Sequence, residues 1–211
     1  MGAGRDRAGG AGRRRGLRPG GDAAGALAAA AGLANVSVAE AAANRTGLEA
    51  GSLDAVMLRH VLAHNGGAED AIVGHLATLV RPGGCLYLVD SDATAIRTLP
   101  EHADLTDLHE RYAAFRAARG DDNRAGLRLA DRLARAGLDV LEFRGRYLIG
   151  QPPAAVRPPP WAAREAMRTA GVATDADIRR WDRAFQEVAA APVPPTLFAP
   201  FFIAVGRRPA P

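Results

Sequence analysis

The sequence predicts an α/β fold, and two observations carry that prediction. The first is Leu53–Asp90, which reads as strand, polar turn, amphipathic helix, Pro-Gly-Gly break and second strand: one β-α-β unit. The second is the alternation of further helical patterns with strand-like runs at Leu138–Ile149 and Thr196–Val205. Leu53–Arg59 is short and apolar, as a buried strand requires. Glu69 and Asp70 place negative charge where a helix N-terminus favours it. Ile72, Leu76, Leu79 and Val80 then form the stripe of a helix packed on a sheet. Cys85–Val89 is apolar on both faces, which suits an interior strand of a parallel sheet. A right-handed crossover puts the carboxyl ends of both strands on one edge, where open α/β sheets bind ligands. Arg59, His60, His64 and Asp90 stand at or just beyond that edge.

The other elements follow in order. Met1–Gly21 is rich in Gly and Arg with little to bury, and reads as a disordered tail. It lacks the interleaved aromatics of a nucleic-acid arm. Its glycines follow no strand, so they are no dinucleotide loop. Asp22–Gly32 has helix formers, an N-cap candidate in Asp22 and a closing glycine. Val36–Val38 reads as a short strand and Asn44–Ser52 as a polar connection. Leu105, Leu108, Tyr112 and Phe115 recur at helical spacing, as do Leu127, Ala130, Leu133 and Ala134 before Gly137. Gln151–Pro160 is a Pro-rich loop or lid hinge. Trp161–Ala170 and Asp175–Ala190 are helical, the latter capped by Thr174. Pro200 inside the final strand predicts an edge position or a bulge. The expected organisation is a tail at 1–21 and one α/β domain at 22–211, with a Pro-rich and helical insertion at 151–195 before the last strand.

Composition narrows the function classes. The 211 residues are 48% hydrophobic, enough for one sizeable core. No run of eighteen apolar residues marks a membrane span, and the basic N-terminus lacks the apolar stretch of a signal peptide. A lone cysteine, Cys85, fits a reducing, cytoplasmic setting and a small apolar filler. All 27 basic residues are Arg, and six lie in the first eighteen, so the net charge of +4 says little about the domain. No nucleic-acid or membrane partner is expected.

LDAVMLRHVLAH followed by LVRPGGCLYLVD resembles the fourth- and fifth-strand region of class I S-adenosylmethionine-dependent methyltransferases. AAAGLANVSVAEA resembles that family's second helix and third strand. The resemblance covers roughly residues 23–150, and more loosely the end. It implies a Rossmann-like methyltransferase sheet, mostly parallel, with an antiparallel C-terminal strand pair, in the order 3-2-1-4-5-7-6. Before Asp22 nothing matches the family's first two strands or its glycine-rich cofactor loop, so an N-terminally incomplete, truncated domain lacking those strands is expected. The Asp-Ala pair beside the adenine is replaced by Ala42-Ala43, with Glu40 the nearest carboxylate. The resemblance implies S-adenosylmethionine as cofactor, with Glu40 and Ala41 on its adenine side. It places Arg59, His60 and His64 at its reaction edge. The implied activity is methyl transfer to a small-molecule acceptor, impaired by the incomplete cofactor half-site. The alternative is a catalytically inert methyltransferase-fold partner or regulator. Removing two strands leaves an open sheet edge, to be closed by Val36–Val38, by a homodimer or homologous partner, or by missing chain. A nicotinamide-dependent reductase ranks last, since it needs a glycine fingerprint and usually a Tyr/Lys pair.

Single residues carry competing readings. His60 and His64 are four apart, as metal ligands on a helix face can be, but no third ligand lies near in sequence, and no metal is expected. At the position of His64 the family places a histidine near the cofactor's methionine end or simply packed in the turn. Asp90 reads equally as a site residue and as a loop starter. His102, Asp104 and His109 read as an acid/base set or, preferably, as the solvated face of a helix. Tyr112, Phe115, Trp161 and Trp181 fit a core better than an acceptor pocket.

Overall fold

The computed structural model describes residues 19–151 and 157–210. The chain divides into two units, Met1–Ala42 and Ala43–Pro211. In the first, helix α1 spans Pro19–Ala30. Proline is preset for a first helical turn and needs no amide there. The helix therefore begins upstream of Asp22, and the expected cap falls inside it. Gly32, at φ 67°, closes it. The anticipated tail lies outside the described residues over 1–18, and its last three residues are helical. The expected strand at Val36–Val38 does not form. Val36 and Val38 are 48% and 46% exposed, and a strand this short has no stability without a paired neighbour.

The second unit holds a mixed sheet of five strands: β1 Leu53–Arg59, β2 Val80–Ser91, β3 Arg97–Leu99, β4 Asp139–Gly150 and β5 Thr196–Arg207. β1 and β2 pair in parallel. β5 pairs antiparallel with β2 and β3 along one edge and with β4 along the other. The order is thus β1-β2-β5-β4, with β3 following β2 along β5. The expectation of a mostly parallel sheet is corrected here. Four strands point one way, but the reversed strand sits among them, so β1–β2 is the one parallel ladder in the described sheet.

Two local expectations also change. Pro200 lies in the interior strand β5 rather than at a sheet edge. Its carbonyl accepts from the Asp92 amide, so its nitrogen faces the interval between the end of β2 and the start of β3, where no ladder acceptor waits. Pro82-Gly83-Gly84 lies within β2 instead of preceding it. The register jumps from Leu53↔Val80 to Ala55↔Cys85, and Gly83 takes φ 78° in the resulting bulge.

Helix α2, Glu69–Leu79, makes the β1–β2 crossover, and α4, Leu129–Arg135, lies beside it. Ile72, Val73, Leu76 and Leu79 of α2 join Leu129 and Leu133 of α4 over Leu86, Leu88 and Ala204 of the sheet. Each such large side chain contributes about 1.5–3 kcal/mol on burial. A second cluster, Leu108, Phe115, Met167, Ala173 and Trp181, ties α3, Ala103–Ala118, to α6, Arg164–Thr169, and α7, Asp175–Ala190. Short helix α5, Pro159–Ala162, opens on two prolines from the stretch expected to be loop, and the helix expected over 161–170 divides at Ala163. The rest of that Pro-rich stretch, 152–156, lies outside the described residues. Thr174 caps α7 through a reciprocal capping box with Asp177. The Thr174 hydroxyl foremost, aided by Arg180, holds the Asp177 carboxyl down to about 2. Trp181 Nε1 donates to Asp107 at 2.9 Å, locking α7 on α3. Among the described residues no helix is long and apolar enough to cross a membrane.

Leu88 is fully buried between β2 and the α2/α4 layer. Leu88→Ala is expected to lower unfolding free energy by about 2–5 kcal/mol, read as a shifted urea midpoint at unchanged slope.

Candidate functional site

The carboxyl ends of β1 and β2 meet the turn that follows β1. His60 continues the ladder by donating its amide to the Val89 carbonyl at 2.9 Å. It does so at φ 54°, the one non-glycine positive φ among the described residues. Such a backbone costs on the order of 1 kcal/mol, so the surroundings must hold it. The His60 ring stands edge-on to Phe201 of β5, centroids 5.3 Å apart, and its Nδ1 lies 3.9 Å from Asp90. The turn then closes as a short 3-10 segment, Leu62–His64, so His60 and His64 do not share the helix face once open to them.

The backbone of one residue fixes that turn. The Ala63 amide donates to Asp90 Oδ2 at 3.1 Å, while the Ala63 carbonyl accepts from the Arg116 guanidinium of α3. Asp90 is 1% exposed, and its other oxygen accepts the Ser91 amide at 2.9 Å. Arg116, also buried, reaches Asp121 at 3.2 Å and stacks over Tyr112. Asp90 therefore holds the turn to the end of β2 through the Ala63 and Ser91 amides. Arg116 escaped the sequence analysis altogether. It follows Phe115 within an amphipathic helix, where nothing marks an arginine as buried rather than solvated.

His64 is exposed, yet its pKa falls below the ordinary value. Desolvation by the packed chain on one side is the main cause, followed by the Arg116 charge. Arg59 is exposed and, among the described residues, holds no ion pair. Glu40 and Ala41 belong to the first unit, where both are exposed in non-regular chain. Arg59, His60 and His64 belong to the second and cluster at the end of β1. Among the described residues no three His, Cys, Asp or Glu side chains are placed to hold a metal ion.

The trio His102, Asp104 and His109 separates. His102 caps α3, its Nδ1 accepting the Asp104 amide, and its Nε2 meets Glu187 at 3.2 Å. Asp104 pairs with Arg180 of α7. His109 alone lines a cavity of about 500 Å³ between the Ala93–Thr98 stretch and α3. Of the aromatic residues, Trp181, 0% exposed, and Phe115, 9%, go to the core, and Tyr112 and Trp161 pack half-buried against it.

The order β1-β2-β5-β4 reproduces the 4-5-7-6 portion of the order implied by the resemblance. Solved structures share the fold at low identity. A protein of Bacillus halodurans assigned as a methyltransferase superposes with a TM-score of 0.55 at 16% identity, over 90% of this chain and 78% of its own. The YcgJ protein of Bacillus subtilis gives 0.57 at 14% identity, over 92% and 80%. A SAM-dependent methyltransferase of Methanosarcina mazei gives 0.51 at 12% identity, over 92% and 80%. No protein-family model and no curated protein matches the sequence. At these identities the likeness is one of fold, and the fold is that of the class I methyltransferases.

Two measurements test this geometry. In Asp90→Asn the new amide nitrogen faces a backbone donor, so the variant should lose about 1–3 kcal/mol in urea unfolding. Amide exchange at Ala63 should rise with it. By NMR the His64 ring should titrate below the ordinary histidine midpoint of about 6.5. Because the folded value is depressed, the stability linked to the neutral ring is present above about pH 6.5 and lost as pH falls through the lower folded midpoint.

Proposed function

We propose that the chain binds S-adenosylmethionine at the carboxyl edge of β1 and β2 and transfers its methyl group to a small-molecule acceptor. The observation that carries this reading is the strained, clamped turn after β1. Backbone strain held in place by surrounding contacts concentrates at ligand sites, and this turn lies where open α/β sheets bind ligands. The residues present suit the cofactor's methionine end. Arg59 offers a free guanidinium to a carboxylate. His64, with its lowered pKa, stays neutral near pH 7 and does not repel a sulfonium cation. When bound, the cofactor supplies an electrophilic methyl group on a positively charged sulfur. The chain's own task is to hold the two reactants in line and exclude water.

A second reading, a catalytically inert partner of a complete homologue, is favoured by one observation. Among the described residues no strand precedes β1, so no glycine-rich loop follows a strand there. In that reading a homologous chain or a second copy covers the free edge of β1.

Calorimetric titration of the 211-residue chain with S-adenosylhomocysteine, after circular dichroism confirms folding, separates the two. The enzyme reading expects saturable binding at about micromolar Kd, weakened about fivefold or more by Arg59→Ala. A folded chain that takes up neither S-adenosylhomocysteine nor S-adenosylmethionine sinks it.

A further inference from the structure

We infer that the cavity between the β2–β3 connection and α3 is a binding site for a small amine cation, with His109 accepting a proton from it. The site begins two residues past the end of β2, at Ala93 and Thr94, on the ligand edge of the sheet. Its far wall is one face of α3, from which Leu105, His109 and Glu110 line it, and Glu101 stands at the helix entrance. Ile96, Leu105 and Ala113 make part of the lining apolar, enough to seat a short hydrocarbon body.

The charges select the ligand. Arg97 is committed to backbone, its guanidinium donating to the carbonyls of Thr94 and Ile96 at 3.0 and 2.7 Å. Glu101 and Glu110 hold no ion pair among the described residues. Two carboxylates thus stand against the single guanidinium in the lining, so its charged side chains are net negative and an anionic ligand is disfavoured there.

His109 adds a ring of defined tautomer. Its Nδ1 lies 2.8 Å from the Leu105 carbonyl. A carbonyl only accepts, so Nδ1 carries the hydrogen, and in the neutral ring Nε2 bears the lone pair. A primary ammonium has three N–H donors. The two carboxylates and Nε2 supply three acceptors of matching kind. Transfer of one proton from R–NH3+ to Nε2 leaves R–NH2 and an imidazolium, with charge and atoms conserved. The free amine has the lone pair that an attack on a methyl group requires, so this role of His109 rests on the methyltransferase reading of the preceding section. The amine site itself does not.

The test uses the full chain with ring-labelled histidine, followed by NMR, and the probes phenethylamine, ethanolamine and neutral 2-phenylethanol. At least one amine should shift the His109 ring signal saturably. Its neutral counterpart and the double variant E101Q/E110Q should bind about tenfold or more weakly. If S-adenosylmethionine is turned over with the amine, H109Q should cut kcat about tenfold or more while moving KM about threefold or less. The proposal is overturned if neither amine moves the His109 signal, or if E101Q/E110Q binds the amine as tightly as the parent chain. If the amine binds at His109 but the chain binds no S-adenosylhomocysteine, the methyltransferase reading and the proton role fall together. The amine site then stands alone.

Discussion

Strand β5 pairs along one edge with β2 and then β3, and along the other with β4 over nearly its whole length. Twelve residues from the end of the chain thus fill the interior of a sheet begun at Leu53. Interior backbone groups must find partners, so β2 and β4 hold their places only once β5 has arrived. The helical layer depends on it as well, because Ala204 and Phe202 of β5 complete the surface on which α4 and the Ala125–Arg128 turn pack. Gly126 shows how close that approach is: a β-carbon there would lie 2.8 Å from both the Asp90 carbonyl and the Phe202 ring.

The carboxyl edge of β1 and β2 inherits this framework. β2 brings Asp90 and β5 brings Phe201 to the same place, and α3 adds Arg116. Three elements remote in sequence therefore converge on the turn after β1. The charge networks elsewhere do the same work for the helices. Arg132, 6% exposed, joins α4 to Glu69 and Asp70 at the start of α2 and to Asp122. Arg180 and Arg111 tie α7 to α3 through Asp104, Asp107 and Asp177. Desolvation would raise the Asp107 pKa, but hydrogen bonds from Arg111, Trp181 and Arg180 bring it down. Buried and half-buried arginine forks of this kind fix geometry more than they add stability. In a chain whose basic residues are all arginine, they are the available cross-braces.

Where the candidate residues lie was largely legible one residue at a time. Arg59, His60 and His64 could be placed at the end of β1 because a β-α-β pattern with a right-handed crossover leaves few options for where its strands end. The strain at His60 was not legible, since positive φ carries no signature at histidine. The separation of His102, Asp104 and His109 was not legible either. All three fall on or beside one helix, and which neighbour each meets depends on where α7 and the β2–β3 connection lie.

The sequence by itself determined the longer helices, the β-α-β unit and the carboxyl edge, because local periodicity and capping act within a few residues. It also determined Thr174 as a cap and Trp181 as core. Only the tertiary structure decided the ladders. Val36–Val38 has strand-forming residues but no partner, and β5 has a mid-strand proline yet sits in the interior because its nitrogen meets the gap between β2 and β3. Pairing is a long-range contest for hydrogen-bond partners, and neither pattern nor propensity records who wins it.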